Sequence, residues 1–232
     1  MNFVKNNLAN LFTLGNLFSG SVGAIQLLQG NYEITAICIV LSAILDFFDG
    51  FVARAMGSNS ELGIQLDSLA DMVTFGVLPG LTMYVMLGNI PNEELFWLKY
   101  LGLFITLFSC LRLAIFNIDD EQTYYFKGLN TPSNTFLIFG LYYAYQKTGD
   151  FLFLMENKWL LLGLTALSSW LLVSPIKMIA MKFKSKKIED NYPKIALILG
   201  VIPILIFGNF AGIPLAIVYY MLVSIAFQKQ LK

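Results

Sequence analysis

The sequence predicts an all-α integral membrane protein, a polytopic helical bundle with about eight transmembrane helices. Two observations carry that prediction. Only 13% of the 232 residues are charged and 57% are hydrophobic, whereas a soluble domain carries about 25% charged residues. The apolar residues also fall in runs of about 20, the length a helix needs to cross the hydrocarbon core, and the mean hydropathy is +0.67.

Taken in order, the first run, Leu11–Gln29, is joined to the second, Glu33–Ala55, by the tight turn GNYE. The third covers Gly63–Leu87 and the fourth Leu95–Phe116. The fifth, Pro132–Gln146, and the sixth, Trp159–Ser174, follow. The last two, Ile195–Phe207 and Ala211–Phe227, are linked by GNFAG. The fifth, seventh and eighth are short, so six firm spans plus a further pair are also compatible with the pattern. The opening MNFVKNNLAN reads as a short helix lying at the interface. No cleavage box follows the first run, so an uncleaved first helix is expected. Residues 1–232 read as a single membrane domain, with a core over about 7–174 and an additional C-terminal helix pair over about 195–227.

Composition removes several functions. Net charge is zero, which predicts no nucleic-acid partner. The absence of histidine removes histidine acid–base catalysis, histidine metal ligands and a histidine nucleophile. Cys38 and Cys110 lie inside apolar runs and are expected to be small core residues. Most aromatics, including Tyr124, Tyr125, Tyr142, Tyr143, Tyr145 and Trp159, are expected in the interfacial belts. The densest basic stretch holds Lys177, Lys182, Lys184, Lys186, Lys187 and Lys194. Positive charge is retained in the cytoplasm, so with eight spans both termini are expected there. Lys5, Lys229 and Lys232 agree, and the loop GNIPNEE, without Lys or Arg, falls outside. Attraction of this stretch to anionic lipid is a secondary expectation.

Between the second and third runs the sequence reads DFFDGFVARAMGSNSELGIQLDSLAD. Asp46 and Asp49 are three residues apart, and Asp67 and Asp71 four apart, so each pair shares one helix face. The polar turn between them is short, which makes the helices antiparallel neighbours and aims four carboxylates at one cavity. Clustered anions in a membrane are tolerated when cations neutralise them. Oxygen ligands suit Mg²⁺, Mn²⁺ or Ca²⁺, and four carboxylates can bridge two ions for phosphoryl chemistry. Gly50, Ala53 and Gly63 lie on the same faces and would let a phosphate-bearing substrate approach the backbone. Arg54, one turn after Gly50, can neutralise a phosphate. Glu61 reads as a solvated loop charge.

Asp46, Asp49-Gly50, Ala53-Arg54, Gly63, Asp67 and Asp71 match, position for position, the signature of the CDP-alcohol phosphotransferase family, which the chain therefore resembles. The resemblance implies a six-helix core and divalent-metal-assisted transfer of a phosphatidyl or similar group from a CDP-linked donor to an alcohol, with CMP released. It implies that Asp46, Asp49 and Asp67 ligate two Mg²⁺ or Mn²⁺ ions. Asp71 would take the proton of the acceptor hydroxyl and also reach the metal, and Asp67 would share in catalysis. Gly50, Ala53 and Gly63 would make room for the cytidine nucleotide, supported by Arg54.

Three further stretches resemble the bacterial phosphatidylserine synthases of this family. They are NLANLFTLGNLFSG, with Asn10, Thr13, Asn16 and Gly20; LRLAIFN, Leu111 to Asn117; and FKGLNTPSN, Phe126 to Asn134. The chain departs from that group at Ala9, Ile115, Asn130, Ser133 and Asn134. Asn10, Thr13 and Asn16 either contact the nucleotide or join helices by hydrogen bonds. Arg112 either anchors its helix at the interface or faces the interior to bind acceptor or phosphate. A carboxylate-bearing acceptor such as serine needs a cation, which Arg112 or Lys127 can supply; Asn117 and Ser133 complete the expected acceptor site. The function expected is transfer of the phosphatidyl group of CDP-diacylglycerol to serine on the cytoplasmic side of the cell (inner) membrane, by an enzyme of a family in which dimers are expected. Glycerol phosphate and inositol phosphate are the alternative acceptors. An intramembrane prenyltransferase would carry its acids on helices further apart in sequence, and a divalent cation transporter would spread them through the bundle.

Overall fold

The computed structural model describes residues 2–57, 60–90, 96–119, 125–181 and 191–231. Helix α1 (Asn2–Leu28) is one unbroken helix. The separate interfacial helix expected at the N-terminus is thus part of α1. Gly30 adopts φ 80°, a conformation open to glycine at little cost, and turns the chain into α2 (Tyr32–Met56). The two helices pack through small residues: Ser19 Oγ donates to the Cys38 carbonyl at 3.0 Å and Ser42 Oγ to the Asn16 carbonyl at 3.2 Å. A Cβ on Gly23 would sit 3.0 Å from that of Cys38. In lipid there is no hydrophobic drive between helices, so close packing and hydrogen bonds of roughly 0.6 kcal/mol each hold them together.

At the far end of α2, Gly57 takes φ 61° and its N–H returns to the α2 carbonyls, a left-handed helix stop. After the turn, Ser60 Oγ accepts the Gly63 N–H at 3.0 Å, an N-cap worth about 1 kcal/mol. This starts α3 (Glu61–Asp71). Capping on both sides delimits the turn, and α2 and α3 both pack against α1, so that Asp46 and Asp49 come to face Asp67. Glu61 is exposed in the first turn.

The third span continues past α3 through a π-helical segment (Met72–Val77) into α4 (Leu78–Gly88). A π turn disturbs the α-helical bonding ladder. Here hydroxyls from two neighbouring helices reach into it. Thr106 donates to the Gly76 carbonyl at 3.1 Å and Thr135 to the Phe75 carbonyl at 3.2 Å. The fourth span opens as a 3₁₀ helix (Phe96–Leu103) and becomes α5 (Phe104–Ile118).

α6 (Thr131–Thr148) is buried on nearly every side, from Thr131, Asn134 and Thr135 to Phe139, Tyr142 and Ala144. A helix that faces protein all round needs no apolar exterior, which is why its polar residues are tolerated. Tyr142 is therefore a core residue here, not a member of an interfacial belt. Cys38 is buried, but Cys110 is exposed on the outer face of α5 and is not a core residue.

A short α7 (Leu152–Met155), unforeseen in the sequence, precedes α8 (Lys158–Val173). α9 (Tyr192–Phe207) and α10 (Gly212–Ala226) form the C-terminal pair, joined by a 3₁₀ turn, Asn209–Ala211. Five described helical stretches are long and apolar enough to cross a membrane, and α8 and α9 are shorter apolar helices. The protein is an all-α polytopic membrane protein.

A two-stranded ribbon was also not foreseen. β1 (Tyr125–Lys127) pairs antiparallel with β2 (Lys177–Ile179), Phe126 opposite Met178. Their sequences YFK and KMI are too short to show strand periodicity. Tyr124, Lys182, Lys184, Lys186, Lys187, Lys232 and most of GNIPNEE lie outside the described residues, and nothing further is drawn on them. Lys194 is buried and donates to Asn191 Oδ1 at 3.2 Å.

Candidate active site

The expected site residues come from α1, α2, α3, α5 and the segment running from β1 into α6. Asp46 and Asp49 descend from α2, and Asp67 and Asp71 rise on α3. Single oxygens of Asp46, Asp49 and Asp67 all lie within 4.8 Å of one another. Asp46 stands close enough to both Asp67 and Asp71 to share hydrogen bonds with them. Asp67 Oδ1 is buried with no hydrogen-bond partner. A buried carboxylate oxygen left without a donor costs free energy, and an oxygen-binding cation at roughly 2.0–2.6 Å from each ligand would complete it. The three carboxylates therefore fit a divalent metal.

Two cavities open on either side of the cluster and share Asp49, Gly50, Arg54 and Asp67 in their walls. The smaller, of about 160 Å³, is lined by Asn10, Thr13, Gly50, Ala53, Arg54 and Gly63 together with Ala9, Ser60 and Ile64. Six of the seven residues expected at the nucleotide are thus gathered around one space. Gly50 leaves room for Arg54 on its own helix: a Cβ there would meet the guanidinium at 3.2 Å. Thr13 Oγ1 donates to Asp49 Oδ2 at 2.7 Å, so Thr13 both lines the cavity and orients a carboxylate.

Asn16 is the seventh, and it does not line this cavity. It is fully buried. Its amide donates to Asp71 Oδ1 at 3.2 Å and its own oxygen accepts the Thr74 hydroxyl at 2.8 Å. Thr74 lies in the π segment, and a Cβ on Gly20 would come within 3.0 Å of its Cα. The close approach of α1 to the π segment at Gly20 brings Asn16 under Asp71.

The larger cavity, of about 390 Å³, holds all four aspartates on one side and Arg112, Phe116, Asn117, Phe126, Asn130 and Thr131 on the other. Arg112 is 7% exposed. Its guanidinium lies 4.9 Å from the Phe116 ring and 5.9 Å from that of Phe126, and its Nε has no partner. Two rings holding a buried guanidinium fix its plane and leave donors for a ligand. Asn117 lines the same space and exchanges hydrogen bonds with Ser68, the shorter at 2.8 Å.

Lys127 and Ser133 do not line it. Lys127 Nζ pairs with Asp119 Oδ2 at 2.9 Å. The Ser133 N–H is bonded to Asn130 Oδ1 at 2.8 Å, where Asn130 caps α6. Successive residues of a strand point to opposite sides, so with Phe126 facing the cavity its neighbour Lys127 turns away. Phe116, Phe126, Ser68, Thr74 and Thr131 were not expected. Phe116 was within reach of sequence reasoning, being four residues after Arg112 on one helix face; Phe126 depends on a strand no pattern announced.

Fold and site together define a multi-pass membrane protein with a carboxylate cluster between two cavities at one end of the bundle. The chain matches the CDP-alcohol phosphatidyltransferase family over residues 6–176 and belongs to it. It is similar to three proteins named CDP-diacylglycerol–serine O-phosphatidyltransferase. With that of Bacillus subtilis it is 35% identical over 126 residues, 53% of this chain and 67% of the relative. With that of Helicobacter pylori strain J99 it is 37% identical over 133 residues, 56% of this chain and 54% of the relative. With that of Saccharomyces cerevisiae it is 32% identical over 157 residues, 61% and 55% respectively. The aligned stretch therefore spans about two thirds of the first relative and a little over half of the other two.

Proposed function

We propose that this protein transfers the phosphatidyl group of CDP-diacylglycerol to the hydroxyl of L-serine, giving phosphatidylserine and CMP. The observation that carries the reading is the larger cavity, which sets a buried, ring-held arginine across from four aspartates. Similarity to the three serine phosphatidyltransferases supports it. The smaller cavity takes the cytidine nucleotide, where Gly50, Ala53 and Gly63 admit it close to the backbone and Arg54 meets its phosphates. The lipid tails stay in the bilayer.

Asp46, Asp49 and Asp67 would hold Mg²⁺ or Mn²⁺, as two ions if Asp71 also contributes. Bound there, the metal stabilises charge on the transferring phosphoryl group and on the departing CMP. Arg112 binds the serine carboxylate and so orients the hydroxyl toward Asp71. The Asp71 carboxylate takes the hydroxyl proton. The serine oxygen bonds to the phosphorus carrying diacylglycerol, and the bond from that phosphorus to the CMP oxygen breaks. Asn16 donates to one Asp71 oxygen and so orients the carboxylate. On the positive-inside argument the site and both termini face the cytoplasm.

Glycerol phosphate or inositol phosphate as acceptor is the second reading. A phosphate dianion asks for more than one cation on the acceptor side, and Lys127, the other candidate, is engaged by Asp119. The test is CMP release from CDP-diacylglycerol by purified protein in detergent, with Mg²⁺ or Mn²⁺ and one alcohol at a time. Serine-dependent release abolished by EDTA is expected. Release with glycerol phosphate but not serine would overturn the acceptor; no release with any alcohol would reopen the transporter reading.

A further inference from the structure

The family match ends at residue 176, and α9, α10 and β2 lie beyond it. β2 shows what they do. All four backbone groups of Lys177 and Ile179 are met by side chains of the α10 segment. Gln228 receives the Lys177 N–H on Oε1 at 3.1 Å and donates Nε2 to the Lys177 carbonyl at 2.6 Å. Ser224 Oγ accepts the Ile179 N–H at 3.2 Å, and the Tyr220 hydroxyl donates to the Ile179 carbonyl at 3.0 Å. These side chains occupy the place of a third strand. Backbone groups alternate in direction along a strand, so Met178, between them, faces β1 and is opposite Phe126.

Phe126 in turn lies against the Arg112 guanidinium, and Tyr220 is near enough to Arg112 to interact with it electrostatically. The matched core holds the chain through side chains at Phe126 and Lys127 and through backbone bonds just after β1: the Gly128 N–H bonds to Ile176 and that of Leu129 to Leu171, each at 2.8 Å.

We infer that the C-terminal helix pair positions the acceptor-side wall of the active site, with Gln228 and Tyr220 as positioning residues that hold β2, and through it Phe126 and Arg112, in place for acceptor binding. The inference rests on the reading of the larger cavity as the acceptor site. A ribbon of three residues per strand has no stability of its own, so its order is set by what grips its outer edge.

The experiment compares the full-length protein with Gln228→Ala, Tyr220→Phe and the double variant in detergent, by two readouts. Amide hydrogen exchange over 125–129 and 177–179 is expected to quicken about tenfold or more in the double variant, with exchange over 46–71 unchanged. The KM for the acceptor alcohol that wild type uses is expected to rise about five- to twentyfold, with kcat and the KM for CDP-diacylglycerol within about twofold. Unchanged exchange at the ribbon would overturn the coupling. Faster exchange with an unchanged acceptor KM would overturn the positioning role and leave a merely structural one. If the double variant does not fold, the two single variants, each keeping part of the grip, are held to the same two criteria. Absence of CMP release by wild type with every alcohol would instead sink the phosphatidyl-transfer reading, and would show as such without reference to the variants.

Discussion

The amide of Asn16 donates to Asp71 Oδ1 at 3.2 Å, and the Thr74 hydroxyl, at 2.8 Å from the other end of that amide, fixes which way it points. Asn16 therefore acts from α1, across the bundle, on the carboxylate proposed to take the proton. Asn16→Ala is expected to lower kcat by roughly 10–100-fold, the usual effect of removing a group that orients a ligand or base. The KM for CDP-diacylglycerol should change little. Steady-state kinetics separates the roles: a raised donor KM at unchanged kcat would mean that Asn16 contacts the nucleotide after all.

The four aspartates divide by position. Asp49 belongs to the tight group with Asp46 and Asp67, whereas Asp71 stands beside it. Asp71→Asn should cut turnover by about 10²–10⁴-fold while the protein still binds Mn²⁺ and CMP. Asp49→Ala should lose Mn²⁺ binding itself. Mn²⁺ titration followed by electron paramagnetic resonance measures this without turnover. Near-normal turnover in Asp71→Asn would remove its assignment as base.

Arg112 is held by its shape as well as its charge. Arg112→Lys keeps the charge but not the planar, many-donor group that lies against Phe116 and Phe126. The expected result is a serine KM raised roughly 10–100-fold with CMP affinity unchanged, since Arg112 does not line the smaller cavity. Equal loss of serine and nucleotide affinity would show that Arg112 serves the phosphates instead.

Much of this was legible because helical spacing is a strong code. Asp46 and Asp49, or Asp67 and Asp71, declare a shared face by separation alone, and Gly57 and Ser60 mark the turn that folds one pair onto the other. The lining of the smaller cavity was readable for the same reason, since Gly50, Ala53 and Gly63 lie on the helices that this turn joins. Of the two readings open for Asn16, the structure shows the helix-joining hydrogen bonds; periodicity gives a face but not a depth, and one further turn along α1 carries the side chain from the cavity to beneath Asp71. The acceptor side depends on a ribbon between distant segments. The strand 177–179 that pairs with 125–127 is bonded on its other edge by Tyr220, Ser224 and Gln228, distant in sequence, and no local pattern announces the pairing. Lys127, expected as an alternative cation to Arg112, does not line the cavity, because of a strand alternation no three-residue segment can reveal.

The same ribbon makes one glycine decisive. Gly128 holds φ 76°, and a Cβ there would lie 2.5 Å from the Leu172 carbonyl oxygen and 2.8 Å from that of Leu171. Gly128→Ala thus meets both a disfavoured backbone conformation and two immovable helix-end carbonyls, and should cost roughly 1–3 kcal/mol. Because Gly128 follows β1 directly, relief of the clash must shift Phe126, so the serine KM should rise as well. Gly149 is the control: it has the same φ of 76° but open space around it, so Gly149→Ala should cost only about 1 kcal/mol and leave serine binding untouched. Thermal unfolding in detergent and serine KM, measured on both variants, test this. Equal destabilisation would show that the backbone angle alone matters at residue 128, and an unchanged serine KM in Gly128→Ala would show that the ribbon does not carry strain to the acceptor wall.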